Sequence, residues 1–136
     1  MDIKDLKLSH MGVAVANMED ARQIYTENGY ICGNVIFDPL QKLNICFAEN
    51  PDEPRVELVE AADKDSPVSK ILENGEPAVA YHICYAVKNL DEIIDNLRQE
   101  NWGLVKNPVP AIACGNARVA FLYSKEAGLI ELLEEK

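Results

Sequence analysis

The chain contains two histidines, and both open the same repeated stretch. His10-Met-Gly-Val-Ala-Val-Ala-Asn-Met-Glu-Asp20 aligns with His82-Ile-Cys-Tyr-Ala-Val-Lys-Asn-Leu-Asp-Glu92 at a constant offset of 72. A second element closes each half. Val56-Glu-Leu-Val-Glu60 matches Ile130-Glu-Leu-Leu-Glu134 at an offset of 74, and Phe47 precedes Glu57 by the same ten residues as Phe121 precedes Glu131. Loops absorb the shift of two. A repeat of this kind means one supersecondary unit built twice, here over about 8–61 and about 80–134.

Hydrophobic periodicity gives the contents of each copy. His10 to Ala16 and Tyr81 to Val87 read as strands. Asn17 and Asn89 are suited to cap the helices that follow, with acidic residues in the first turn opposing the helix dipole. The apolar stripes are Met18, Ala21, Ile24 and Tyr25 in the first helix, and Leu90, Ile93, Ile94 and Leu97 in the second. Asn28-Gly29 suits a left-handed cap. Three further strands follow in each half, at about 30–37, 43–49 and 55–61, then about 102–106, 117–123 and 129–134. Between the halves, Ser66-Pro67 starts a short linker helix over about 66–73 that Asn74-Gly75 stops. The expected fold is α+β, a single domain over 1–136 in which tandem βαβββ modules form a curved mixed sheet.

Side chains alternate across a strand. His10 therefore shares a face with Gly12 and Ala14, opposite Met11, Val13 and Val15; His82 shares one with Cys84 and Ala86, opposite Ile83, Tyr85 and Val87. The bulky faces suit packing under a helix, and the small residues around each His suit the concave side of a sheet that holds a ligand. Glu57 and Glu131 stand mid-strand opposite Val56/Leu58 and Ile130/Leu132, where an unpaired carboxylate is costly. A divalent cation removes that cost. Two imidazoles and two carboxylates from matching positions make His10, Glu57, His82 and Glu131 a candidate metal site, with donors that suit one Ni, Co, Zn, Fe or Mn ion. Glu60 and Glu134 read as solvated residues at strand ends, as does the tail from Glu134 to Lys136. Tyr30 and Trp102 read as packing residues at the start of equivalent strands, and Asp63-Lys-Asp65 as a polar turn.

Charge and composition narrow the partners. The formal net charge of −10 points away from nucleic acid and from anionic membrane surfaces. No apolar run reaches the roughly 18 residues of a membrane span, and Met1 to Lys7 lacks the apolar core of a signal peptide. Cys32, Cys46, Cys84 and Cys114 form no CxxC pair and read as reduced thiols of a cytoplasmic protein.

These residues resemble the vicinal oxygen chelate superfamily of glyoxalases, methylmalonyl-CoA epimerases, bleomycin-resistance proteins and extradiol dioxygenases, from His10 to Glu134. Paired βαβββ modules with a metal in the cup between them are that family's architecture. Three stretches resemble methylmalonyl-CoA epimerases in particular: Asp63-Lys-Asp-Ser-Pro-Val-Ser-Lys-Ile-Leu72, the Tyr81-His-Ile strand, and Gly115-Asn-Ala-Arg-Val-Ala-Phe-Leu122. The resemblance implies His10, Glu57, His82 and Glu131 as ligands of one divalent ion. It also implies proton transfer α to a carbonyl of an acyl thioester on coenzyme A or a carrier protein, with Glu131 as base and Glu57 as its counterpart, in a homodimer.

Two positions depart from the epimerase pattern. Leu40 stands in Asp38-Pro-Leu-Gln-Lys42 where epimerases carry a catalytic Glu, with Asp38 as a possible substitute. Glu57 stands where they often carry Gln, and a His/Glu/His/Glu set is the pattern of lactoylglutathione lyases. That lyase activity and a non-catalytic small-molecule binding protein are the alternatives. An extradiol dioxygenase fits less well, because its two His and one carboxylate leave one Glu surplus.

Overall fold

Each half builds a parallel pair of strands, caps it with one helix, and then extends the sheet by antiparallel pairing. The computed structural model describes residues 6–135. In chain order the elements are β1 (Lys7–Ala14), α1 (Met18–Glu27), β2 (Ile31–Cys32), β3 (Ile36–Asp38), β4 (Leu43–Asn50), β5 (Glu53–Ala61), β6 (Val79–Val87), α2 (Leu90–Gln99), β7 (Gly103–Ala111), β8 (Ala117–Ser124) and β9 (Gly128–Glu134). Among the described residues the chain divides into two units: His10–Tyr81, and residues 82–135 together with 6–9. The tandem βαβββ organisation is therefore present. The reading of Met1 to Lys7 falls mostly outside the described residues, as does Lys136.

In the first unit β1 runs parallel to β5, β5 antiparallel to β4, and β4 antiparallel to both β2 and β3. Asn17, three residues past β1, caps α1, its side chain accepting the Asp20 N–H at 3.0 Å. Gly29 ends the helix region at φ +91°, a conformation that costs other residues steric strain. Met18, with Ala21 and Tyr25 beside it, packs on Val13 of β1 and Val15 just after it, Cys46 and Ala48 of β4, and Val56 and Leu58 of β5. Those strand residues all lie on the helix face. Ile24, expected in the stripe, is 58% exposed. Met18, Ala21 and Tyr25 already form a stripe at i, i+3 and i+7, and Ile24 falls on its flank.

The second unit repeats the plan, with β6 parallel to β9, β9 antiparallel to β8 and β8 antiparallel to β7. Leu90, Ile94 and Leu97 of α2 pack on Val87, Ala120, Leu122, Ile130 and Leu132, with Tyr85, Ile93 and Trp102 alongside. Ile83 is exposed because that core reaches only the later part of β6, at Tyr85 and Val87. Tyr30 and Trp102 play the same part in each unit. The backbone N–H of Tyr30 donates to the Tyr25 carbonyl and that of Trp102 to the Leu97 carbonyl, both at 3.0 Å, and each ring packs on its own core.

Four local expectations need correction. Residues 30–37 form two short strands, because the chain leaves the ladder after Gly33, whose N–H still reaches the Phe47 carbonyl. β7 extends to Ala111, well past 106, despite Pro108 and Pro110. It pairs with β8 alone among the described residues, and an outer strand tolerates missing N–H donors. The linker is two 3-10 turns, Pro67–Lys70 and Glu73–Gly75, separated by Ile71 and Leu72, with Asn74 at φ +64° inside the second. Asn89 makes no side-chain capping bond to α2.

Cys46 and Cys84 are fully buried and Cys32 and Cys114 half-buried; burial pushes the Cys46 thiol up, although Arg22 opposes it. Among the described residues no helix is long and apolar enough to cross a membrane. Leu58 and Leu132 occupy matching positions in the two cores and are both fully buried. Leu58→Ala and Leu132→Ala should each cost about 2–5 kcal/mol in urea unfolding; a loss confined to one would contradict two separately packed cores.

Candidate metal centre

The parallel pairing that starts each unit places a histidine and a glutamate on one sheet face. In the first unit Gly12 lies beside Glu57, so His10, two residues earlier on the same face, is a diagonal neighbour of that carboxylate. His10 Nε2 is 3.7 Å from Glu57 Oε1. Phe47 stands directly opposite Glu57 on β4, and its ring meets the His10 ring edge to face at 5.3 Å and 80°. His10 and Glu57 are both buried.

The second unit reproduces this wiring. Cys84 lies beside Glu131, and His82 Nε2 is 3.2 Å from Glu131 Oε1. Phe121 stands opposite Glu131, with its ring edge to face with His82 at 5.4 Å and 87°. His82 and Glu131 are also buried. Each unit thus presents an imidazole, a carboxylate and a supporting phenyl ring from the same three strand positions.

The spacing of the donors bears on a metal. A charge-assisted hydrogen bond between imidazole and carboxylate closes to about 2.7–2.9 Å. Two ligands of one ion, each bonded at about 2.0–2.2 Å with tetrahedral or octahedral angles, stand roughly 3.0–3.5 Å apart. The His82–Glu131 separation falls in that range and the His10–Glu57 separation just beyond it. Nitrogen and oxygen donors at this spacing, buried in an apolar wall, fit a divalent ion. A buried His/Glu group of this kind can hold a metal.

Other candidate residues have structural work. Asp38 is buried and its carboxylate is committed to the β3–β4 turn: Oδ1 accepts the Leu40 and Gln41 N–H groups at 2.9 and 3.1 Å, and Oδ2 accepts from Gln41 Nε2 at 2.9 Å. Both of its carboxylate oxygens are thus occupied within that turn. Leu40 is 60% exposed on the same turn. Asp63 accepts the Asp65 N–H at 2.8 Å, the polar turn expected there.

Glu60 and Glu134 are not simply solvated. Glu60 is half-buried and accepts the Met18 N–H at 2.7 Å and Asn44 Nδ2 at 2.9 Å, so it anchors the start of α1. Glu134 accepts Arg118 Nη2 at 2.6 Å and Nε at 3.1 Å, and Arg118 also reaches Asp91 in the first turn of α2. Both glutamates tie a helix start to the sheet, one directly and one through arginine. Arg55 was also missed: its guanidinium lies over the Phe47 ring at 3.8 Å. Its place two residues before Glu57 was the available signal, since it puts Arg55 on the Glu57 face.

The model of the glyoxalase/bleomycin resistance protein/dioxygenase superfamily matches residues 9–121. The chain is 26% identical over 129 residues to the ethylmalonyl-CoA/methylmalonyl-CoA epimerase of Cereibacter sphaeroides, covering 93% of this chain and 96% of that one. It is 29% identical to YqjC of Bacillus subtilis, an uncharacterised protein, over 96% of this chain and 93% of the other. The crystal structure of methylmalonyl-CoA epimerase from Mycobacterium tuberculosis superposes with a TM-score of 0.83 at 26% identity, over 96% of this chain and 88% of that one.

The Arg118 guanidinium holds the Glu134 carboxyl below its ordinary value. A folded value below the unfolded one gives stability that is present above the free-glutamate value of about 4.3 and fades as pH falls through the folded value. In acid unfolding, Arg118→Leu should therefore lose less stability than the parent chain across that window. Parallel curves would show that the pair contributes nothing.

Proposed function

The chain belongs to the glyoxalase/bleomycin resistance protein/dioxygenase superfamily, and we propose that it is a divalent-metal-dependent epimerase acting on the carbon α to the carbonyl of an acyl thioester. The observation that carries this reading is the buried His–Glu pair, built twice at matching strand positions with donor spacings that suit metal ligation. In this reading 1–136 acts as one domain, and His10, Glu57, His82 and Glu131 ligate a single Ni, Co, Zn, Fe or Mn ion. The epimerase names of the similar proteins support coenzyme A thioesters as substrates, with a carrier-protein thioester the other possibility of the same chemistry.

The chemistry follows from the carboxylates. A divalent ion held by this set supplies electrostatic stabilisation for negative charge on a substrate carbonyl oxygen. A carboxylate oxygen of Glu131 takes the α-proton, and the C–H electron pair moves into the carbonyl to leave an enolate. Glu57 serves the opposite face: its carboxyl returns a proton to the α-carbon, which inverts the centre. Proton count and oxidation state are unchanged; Glu131 then releases its proton to solvent and Glu57 takes one up, which resets the two carboxyls. With Leu40 apolar and Asp38 locked in a turn, the two buried glutamates are the candidates for this relay. Their burial among apolar residues keeps bulk water from quenching the carbanion on one face only.

The lactoylglutathione lyase alternative is not favoured, since the similar proteins are named as epimerases. A homodimer completes the reading, supported by the family resemblance and by exposed Ile31 and Phe37 on the outer strands β2 and β3. A cytoplasmic location is supported by the four free thiols.

In heavy water, metal-loaded protein should exchange the α-proton of methylmalonyl-CoA for deuterium, followed by mass spectrometry. Glu131→Gln should slow the exchange by about 10²- to 10⁴-fold, the usual contribution of a general base. No exchange by the parent chain with any acyl-CoA carrying an acidic α-proton would overturn the epimerase reading and leave a binding protein of the same fold.

A further inference from the structure

The face of the first unit that bears His10 and Glu57 also carries a cation. Counting by twos along the strands, Arg55 shares the Glu57 face of β5, and no other Lys or Arg falls on that face among the described residues of β1 to β5. The Arg55 guanidinium lies 3.8 Å from the centroid of the Phe47 ring, and Phe47 meets His10 edge to face. One aromatic ring therefore separates the guanidinium from the His10–Glu57 pair.

Two contacts fix how this guanidinium is presented. Stacking on Phe47 sets its plane, and Glu49 Oε1 sits on its Nε edge at 3.1 Å. The terminal nitrogens Nη1 and Nη2 make no hydrogen bond to another described residue, and the side chain is 40% exposed. A planar fork of N–H donors, held by its rear edge and open at its front, matches the two oxygens of a carboxylate. The chain's net charge of −10 makes such a cation consequential, because an anionic substrate otherwise meets an opposing field.

Resting on the epimerase reading, we propose that Arg55 is a specificity-determining residue whose guanidinium binds a carboxylate on the acyl group of the substrate. It selects half-thioesters of dicarboxylic acids over thioesters of simple fatty acids. Glu49 and Phe47 act as positioning residues, one holding the Nε edge and the other the plane.

Calorimetric titration of malonyl-CoA and acetyl-CoA into the parent chain, Arg55→Gln and Arg55→Lys tests this. The parent chain should bind malonyl-CoA more tightly than acetyl-CoA. Arg55→Gln should weaken malonyl-CoA by about 10- to 100-fold, the range for a hydrogen bond to a charged group, and leave acetyl-CoA within about twofold. Arg55→Lys should fall between, because a point charge keeps the attraction without the fork. In turnover of methylmalonyl-CoA, KM should rise with little change in kcat. An equal loss for both ligands would assign Arg55 to the phosphates of coenzyme A and overturn the proposal, as would no loss for either. Failure of the epimerase reading looks different: Arg55-dependent binding of malonyl-CoA without α-proton exchange keeps the Arg55 assignment and removes the reaction. Exchange by Arg55→Gln at unchanged KM does the reverse.

Discussion

Two carboxylates buried beside imidazoles on apolar sheet faces are the constraint around which each unit is organised. A buried carboxylate loses its hydration and needs a compensating charge or donor close by. Here the compensation begins with geometry that any parallel strand pair supplies: residue j+2 of one strand beside the Glu of the next, so that residue j is its diagonal neighbour. The bulky residues on either side of each glutamate then face the helix. Val56 and Leu58 bracket Glu57 in this way, and Ile130 and Leu132 bracket Glu131. The helix-packing residues and the His–Glu pairs thus lie on opposite faces of the same strands, and a one-residue register slip would exchange them.

The two units meet the same structural demand by different means where no ligand is involved. Each helix begins just after the first strand, and its first turn has to be held in place. In the first unit the Asn17 cap and Glu60 both hold it directly. In the second Asn89 makes no capping bond, and Arg118 bridges Glu134 to Asp91 in the first turn. The His–Phe ring contacts diverge less, with nearly equal distances and interplanar angles, while the His–Glu separations are 3.7 and 3.2 Å.

Most of this was legible in the sequence because two periodicities reinforce each other. The period of two assigns His10, Glu57 and their counterparts to a face, and the repeat doubles every assignment. Both helices and the packing roles of Tyr30 and Trp102 followed from the same patterns. What escaped depends on distant partners. Glu60 reads as a solvated strand end because its partner, the Met18 N–H, lies 42 residues away. Asp38 reads as a spare acid until its turn contacts are seen. Ile24 looks like part of the apolar stripe, yet the three residues that make contact already fill the helix face. Proline made β7 look shorter than it is, since sequence alone does not reveal that the strand lies at the outside of its unit's sheet.

The account stands on the two His–Glu pairs serving one ion. Metal analysis of the parent chain beside His10→Ala and His82→Ala tests that most directly. About one divalent ion per chain, held more weakly by both single variants, is the outcome expected of a shared four-ligand site, because each substitution leaves three of the four donors. Two ions per chain, or full retention in one of the variants, would show that the pairs bind separately and contradict the shared centre.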